Sequence, residues 1–262
     1  MNFVKPKNLP SLMVAPNGAR PTKKDHPELP ISVAEIVKTG KACYEAGADA
    51  IHFHTRDKDG KHVLDSGLCK EILNELNTTV PKMHFQITTE AIGIYTPDQM
   101  RKLALEVMPP GISISIREMI PSGKITSEDI EFYKSLTEAG TKIQHICYKT
   151  EDIDLLTNLL DDSKITKANT WCMFVIGHYS GSVSNPKNIL SFIEKSKSNN
   201  FYPDWAVCAF GKEEISCLRT AIKLGGKIRV GFENSFLMPD GSIAPNNETK
   251  VKLANFLLSE NL

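Results

Sequence analysis

The 262-residue chain has no stretch approaching the ~18 consecutive apolar residues needed to cross a bilayer, and its opening MNFVKPKNLP lacks the apolar core of a signal peptide. Both absences point to a soluble, cytoplasmic protein with no membrane partner. An excess of either charge is also missing, since 31 Lys plus Arg balance 31 Asp plus Glu. With no basic stripe interleaved with aromatics to follow a phosphate backbone, nucleic acid is not an expected partner. The six cysteines, Cys43, Cys69, Cys147, Cys172, Cys208 and Cys217, never form a CxxC pair. Most sit in apolar runs and read as reduced, packed thiols rather than a disulfide framework. No linker rich in Pro, Gly or Ser divides the chain, and no GxGxxG follows the first apolar run to suggest a dinucleotide fold.

What the chain does have is a globular balance of 41% hydrophobic and 24% charged residues. Short β-branched or apolar runs alternate with amphipathic segments from end to end, the pattern of repeated βα units. Strand candidates begin at Leu12, Ala50, Met83, Gly111, Lys142, Trp171, Trp205 and Lys227. Helix candidates span Ser32–Ala46, Ser66–Asn77, Pro97–Glu106, Ser127–Glu138, Glu151–Asp161, Pro186–Lys195, Lys212–Leu224 and Pro245–Leu258. Ser32 followed by Glu35 reads as a capping box, and glycines after Ala46 and Ala139 read as stop signals. Eight such repeats in one domain of residues 1–262 predict an α/β fold, the (β/α)8 TIM barrel, whose active site lies at the C-terminal ends of the strands.

At that end of the second strand stands His52-Phe53-His54. Strand side chains alternate, so the two imidazoles face the barrel axis together while Phe53 points away. Neutral imidazole is a common metal ligand, and Glu233, placed at the end of the last strand, can reach the same point because strands 2 and 8 both flank strand 1. His52, His54 and Glu233 would form a His2Glu set with an open position, the arrangement of catalytic zinc. The bland alternatives are two core histidines bonded to backbone and an exposed turn carboxylate. His84 and His145 read as core or wall residues, His26 and His62 as loop residues, and His178, after the sixth strand, as a candidate substrate contact.

The string Gly18-Ala19, Thr22, Asp25, Pro27, Leu29-Pro30, then Glu45–Ala48 and His52–Gly60, resembles the β-keto acid cleavage enzymes, as do Pro186–Asn188, Trp205–Val207 and Gly225–Glu233. The resemblance runs over nearly the full chain. It implies a zinc-dependent barrel in which the two histidines and the glutamate hold the metal, with acetyl-CoA as co-substrate, and a homo-oligomer, a tetramer by analogy. It further implies a β-keto acid substrate, with acetoacetate and a new CoA ester as products. In the family an Asp follows the metal-binding Glu and acts as base, oriented by the arginine that is Arg229 here. This chain has Asn234 at that place, and an amide takes up no proton at neutral pH. Arg20 stands where the family has an acid that reads the substrate's far end, which reverses the charge offered there. Thr88 and Ser113, with Ser115, keep hydroxyls at the substrate-holding positions, and Glu90 replaces a glycine and becomes a candidate substitute base. Lys187 is a candidate contact for a CoA phosphate, and Ser180–Ser184 shapes the neighbouring loop. Three readings follow: an active enzyme with an altered substrate or base, a metal-retaining carboxylate-binding protein without cleavage activity, and a metal-dependent aldolase or hydrolase that does not use CoA.

Overall fold

The computed structural model describes residues 3–178 and 183–260. Eight parallel strands close into one barrel in sequence order. They are β1 (Leu12–Val14), β2 (Ala50–Phe53), β3 (His84–Thr88), β4 (Gly111–Ser115), β5 (Lys142–Cys147), β6 (Trp171–Ile176), β7 (Asp204–Ala209) and β8 (Lys227–Val230). β1 pairs with both β2 and β8, which closes the ring. The helices are α1 (Val33–Glu45), α2 (Ser66–Thr79), α3 (Pro97–Val107), α4 (Ile116–Met119), α5 (Ser127–Glu138), α6 (Glu151–Ser163), α7 (Asn188–Ser198), α8 (Glu214–Lys223) and α9 (Asn247–Ser259). This is the predicted TIM barrel, with α4 as an addition that carries Arg117 and Glu118 on a single helical turn directly after β4. No helix among the described residues is long and apolar enough to cross a membrane.

Local chemistry explains where the helices begin. Ser32 with Glu35, Thr96 with Gln99 and Thr126 with Asp129 all close reciprocal capping boxes, satisfying backbone N–H groups that the first helical turn leaves open. Strand alternation then divides the core. Outward side chains such as Leu12, Ile51, Phe85, Ile112, Phe174 and Val207 pack against the helices in one large apolar cluster. All six cysteines are buried and unbridged, as the sequence indicated.

The inward side chains are of two kinds. Trp171, Met173 and Val175 of β6 and Ala206 and Cys208 of β7 form an apolar wall with Ile146 and Leu9. Opposite them, the buried inward positions of β2 to β5 include the polar side chains of His52, Gln86, Thr88, Ser113, Ser115 and Gln144. Half a barrel interior lined by polar groups costs stability unless those groups are engaged, and such local violations of core chemistry concentrate at working sites. Of the remaining histidines, His84 bonds the Val4 carbonyl oxygen through Nδ1, and His145 stacks on Tyr133 between strand and helix. His26 is a loop residue but not a solvated one: it packs on Phe232 and Phe236 and bonds the Ala244 carbonyl.

Candidate active site

His52 projects from β2, and His54 lies one residue beyond its end. Both point the same way because Asn17, in the loop after β1, continues the strand pairing with its side-chain amide. Its Oδ1 accepts from the His54 N–H at 3.1 Å and its Nδ2 donates to the His54 carbonyl at 2.9 Å. Glu233 reaches the same point by another route. β8 ends at Val230, three residues short of it, and Gly231 turns the chain with φ of 140° so tightly against Ala15 that any Cβ would overlap the Ala15 carbonyl. The Glu233 N–H then bonds that carbonyl oxygen at 3.1 Å, which brings the carboxylate over the barrel mouth.

Arg56 fixes the facing loop. Its guanidinium donates to the carbonyls of Asn17, Gly18, Pro21 and Gly60. Gly18 is thereby pressed onto Glu233, where a Cβ would come within 2.7 Å of the carboxylate's Cγ.

The resulting geometry is compact. His52 Nε2 and His54 Nε2 are 3.1 Å apart, and each is 3.4 Å from Glu233 Oε2. A tetrahedral ion with ligands at ~2.0–2.1 Å separates its ligand atoms by about 3.3 Å, so these three atoms already form one face of such a tetrahedron. The donor chemistry agrees. Burial drives the His52 pKa down to about 3, against the pull of Glu233 and aided by Arg229 and His54, so its imidazole is neutral and carries a lone pair. Burial alone would raise the Glu233 pKa, but the charge of Arg229, with His52 and His54 beside the carboxylate, outweighs that effect and holds the carboxyl below its usual range. Two imidazoles and one carboxylate suit a divalent cation of the zinc type. No other set of three or more such side chains converges among the described residues.

A second layer orients these ligands. His52 Nδ1 donates to Gln86 Oε1 at 2.8 Å, and Gln86 is held in turn by its Nε2 donating to Gln144 Oε1 at 3.0 Å. This relay fixes the His52 tautomer with Nε2 free for a metal. If these three side chains hold a divalent cation, replacing Gln86 with Leu should weaken that affinity about 10–100-fold with the fold retained, as read by chelator competition and circular dichroism. Arg229 donates to Glu233 Oε1 at 2.9 Å. The expected alignment of Arg229 with position 234 does not appear: Asn234 is buried, yet neither its Oδ1 nor its Nδ2 makes a hydrogen bond among the described residues. It is not among the residues lining the chamber over the triangle of His52, His54 and Glu233.

That chamber is lined by Thr88, Ser113 and Ser115 on one side and by Ile146, Val175 and Phe210 on the other. Ser115 Oγ is buried without a hydrogen-bond partner. Glu90 and Glu118 stand at its rim, together with Tyr148, and all three also line an outer cavity of about 490 Å³. Arg20, Arg117, Lys149 and His178 border this outer space, so two of the sequence candidates, Arg20 and His178, lie outside the inner chamber but on the path to it. Lys187 is exposed and borders neither space, Ser180–Ser182 lie outside the described residues, and Ser184 is buried with its Oγ donating to the Ile176 carbonyl. His62, read from sequence as a loop residue, is buried with its ring 5.1 Å from that of His54, and its Nε2 bonds the Glu90 carbonyl oxygen. Burial lowers its pKa to about 3. Sequence reasoning missed Tyr148, Asn17 and Gln86, and it noted Arg117-Glu118 after the fourth strand without assigning Glu118 a role. Only Gln86 left a signal, as an amide at an inward position of an otherwise apolar strand.

Residues 11–261 match the beta-keto acid cleavage enzyme family. The chain belongs to that family. It is accordingly an enzyme of the acyl-transferring, carbon–carbon-cleaving kind. Among individual relatives, the 3-keto-5-aminohexanoate cleavage enzyme of Acetoanaerobium sticklandii is 27% identical over 247 residues, covering 90% of this chain and 88% of the relative. The 3-oxoadipate:acetyl-CoA acetyltransferase of Cupriavidus necator is 24% identical, covering 95% and 88%. Among solved structures, ObcA in binary complex with oxaloacetate superposes with a TM-score of 0.71 at 16% identity, covering 89% of this chain. This chain spans 64% of the ObcA chain, and the likeness is one of fold.

Proposed function

We propose that this family member is a zinc-dependent enzyme that converts a β-keto acid and acetyl-CoA into acetoacetate and a new acyl-CoA. The observation that carries the reading is the buried triangle of His52, His54 and Glu233, with edges matching one tetrahedral face and an open side toward the chamber. A zinc ion held there supplies a Lewis acid for the keto acid's oxygens.

The chain's own residues do the rest. Thr88, Ser113 and Ser115 present hydroxyls around the space that the keto acid's carboxylate would fill, and the unpartnered Ser115 Oγ is a buried donor awaiting an acceptor. The apolar wall of Ile146, Val175 and Phe210 excludes water from the reacting carbons. Arg229 fixes the ligand carboxylate rather than a base at position 234. The outer cavity is large enough for the thioester end of acetyl-CoA, and Arg20, Lys149 and His178 border it with positive or protonatable groups. Arg20 favours a keto acid with a second anionic group at its far end and disfavours one ending in an ammonium group.

Asn234 favours the binding-only reading, because an amide there removes the family's base. A single experiment separates the three readings. Zinc-loaded protein is incubated with keto acids bearing neutral, anionic and cationic tails, with and without acetyl-CoA, and acyl-CoA and acetoacetate are followed by mass spectrometry. We expect acyl-CoA only when acetyl-CoA is present, fastest with the anionic tail. Turnover without acetyl-CoA would establish an aldolase or hydrolase, and no turnover with tight keto acid binding would establish a binding protein.

A further inference from the structure

The proposed reaction requires one proton to leave and return at the same carbon. To bond to the acetyl group, the CH2–COO unit of the keto acid must lose a proton from C2, leaving the electron pair on carbon. The new C–C bond forms as the C–S bond of acetyl-CoA breaks. The released thiolate then attacks the original keto carbon, the C2–C3 bond breaks, and the departing acetoacetate regains a proton at C2. Atoms, charge and electrons balance without an oxidant or reductant, provided that one group beside the chamber both accepts and returns the proton.

Position 234 offers no such group. Among the described residues lining the inner chamber, the carboxylates outside the metal triangle are Glu90 and Glu118. Glu90 faces the histidine pair. Its Oε2 lies 3.7 Å from His54 Nδ1, on the side of the imidazole away from the Nε2 that faces the metal position. That separation is too long for a hydrogen bond, but a carboxylate beside the far nitrogen acts on the ring electrostatically and favours its role as a ligand. Tyr148 keeps its proton, because burial, reinforced by the charges of Glu90 and Glu118, raises its pKa well above the ordinary value.

Glu118 differs from both. It projects from the single helical turn α4 at the end of β4, three residues after the unpartnered hydroxyl of Ser115. Among the described residues its carboxylate accepts one long hydrogen bond, 3.4 Å, from the Ala91 N–H. The adjacent Arg117 is engaged by Asp152 through bonds of 2.8 to 3.2 Å. Glu118 also borders both the inner chamber and the outer cavity, where a keto acid held at the histidines meets an acyl carrier entering from outside. We propose that Glu118 is the catalytic residue that takes the C2 proton from the bound keto acid and returns it to the product. Its acidity suits the task. Burial, with the charge of Glu90 added, raises the Glu118 pKa to about 7, and the Ala91 N–H and the charges of Arg20 and Arg117 act in the opposite sense without cancelling the rise. A base that must also serve as the acid works best with a pKa near the working pH.

The inference rests on the proposed keto acid reading, so its test isolates the proton step. Acetoacetate is the probe: zinc-loaded protein is placed in D2O without acetyl-CoA, and exchange of the C2 protons is followed by proton NMR, with zinc content and acetoacetate affinity measured in parallel. Wild-type protein should accelerate exchange, with the rate rising through neutral pH as Glu118 loses its proton. Glu118→Gln should slow it by about 10²- to 10⁴-fold while zinc content and acetoacetate affinity stay within a few-fold, and Glu118→Asp should recover part of the rate. Glu90→Gln should instead loosen zinc. Wild-type exchange that persists in Glu118→Gln overturns the assignment alone, whereas wild-type protein that binds zinc but leaves exchange at its uncatalysed rate overturns the assignment and the keto acid reading together.

Discussion

Replacing His54 with alanine should raise the zinc dissociation constant by about 10²- to 10³-fold and abolish turnover at stoichiometric zinc. The magnitude follows from the ~10–16 kcal/mol with which a four-ligand site binds zinc, or ~2.5–4 kcal/mol for each ligand. His54 is the appropriate target because its backbone is fixed on both sides by Asn17, so removing the imidazole deletes a ligand without releasing the loop. His52 and Glu233 remain 3.4 Å apart, but two donors no longer define a face. The variant should stay folded by circular dichroism, lose zinc to a chelator that wild type resists, and recover partial turnover in excess zinc. One zinc retained per chain through the same chelator treatment would place the metal elsewhere and remove the basis of the functional proposal.

The sequence displayed this centre more clearly than its surroundings. Two histidines two residues apart at the end of an apolar run must share a face, and the ring order of a closed eight-stranded barrel puts the first, second and last strands side by side. Those two facts were readable without coordinates. The role of Gly231 was not, because it depends on how closely β8 passes Ala15, a contact made across most of the chain's length. Glu118 was hidden for a different reason. Alternation along Gly111–Ser115 orients Ser113 and Ser115, but beyond Ser115 the backbone turns helical, the period changes from 2 to 3.6, and extrapolation from the strand gives the wrong direction. His62 is the loop residue the sequence indicated, but its place beside the site was not readable, because the loop folds back through the Arg56–His62 bridge and packs against His54. For Gly231 the missing information was a contact across most of the chain, for Glu118 a local change of backbone period, and for His62 the way its own loop folds back.

The same dependence on distant contacts makes a lysine remote from the chemistry a strong test of the architecture. Lys250 of α9 is 1% exposed, and its Nζ lies 2.5 Å from Glu214 Oε2 of α8 and 3.0 Å from the Leu237 carbonyl oxygen in the loop after β8. That loop also contains Glu233, so the lysine ties two helices to the segment that presents this candidate metal ligand. Lys250→Ala leaves a buried carboxylate without its cation and a buried carbonyl without its donor, a loss worth about 3–5 kcal/mol. For a chain of this size that corresponds to a fall of roughly 6–20 °C in Tm. The pH dependence identifies the cause. Burial, partly offset by Lys250, raises the Glu214 pKa from an ordinary 4.5 to about 7 in the folded protein. The folded state therefore binds more protons than the unfolded chain between those values, so the contribution of Glu214 is fully present below about pH 4.5 and is lost as pH rises through 7. Removing the lysine raises the folded-state pKa further, and the Tm difference between variant and wild type should widen from pH 5 to pH 8. A difference that stays constant across that range would mean that the lost lysine acts through packing and the Leu237 hydrogen bond, with no contribution from an uncompensated Glu214.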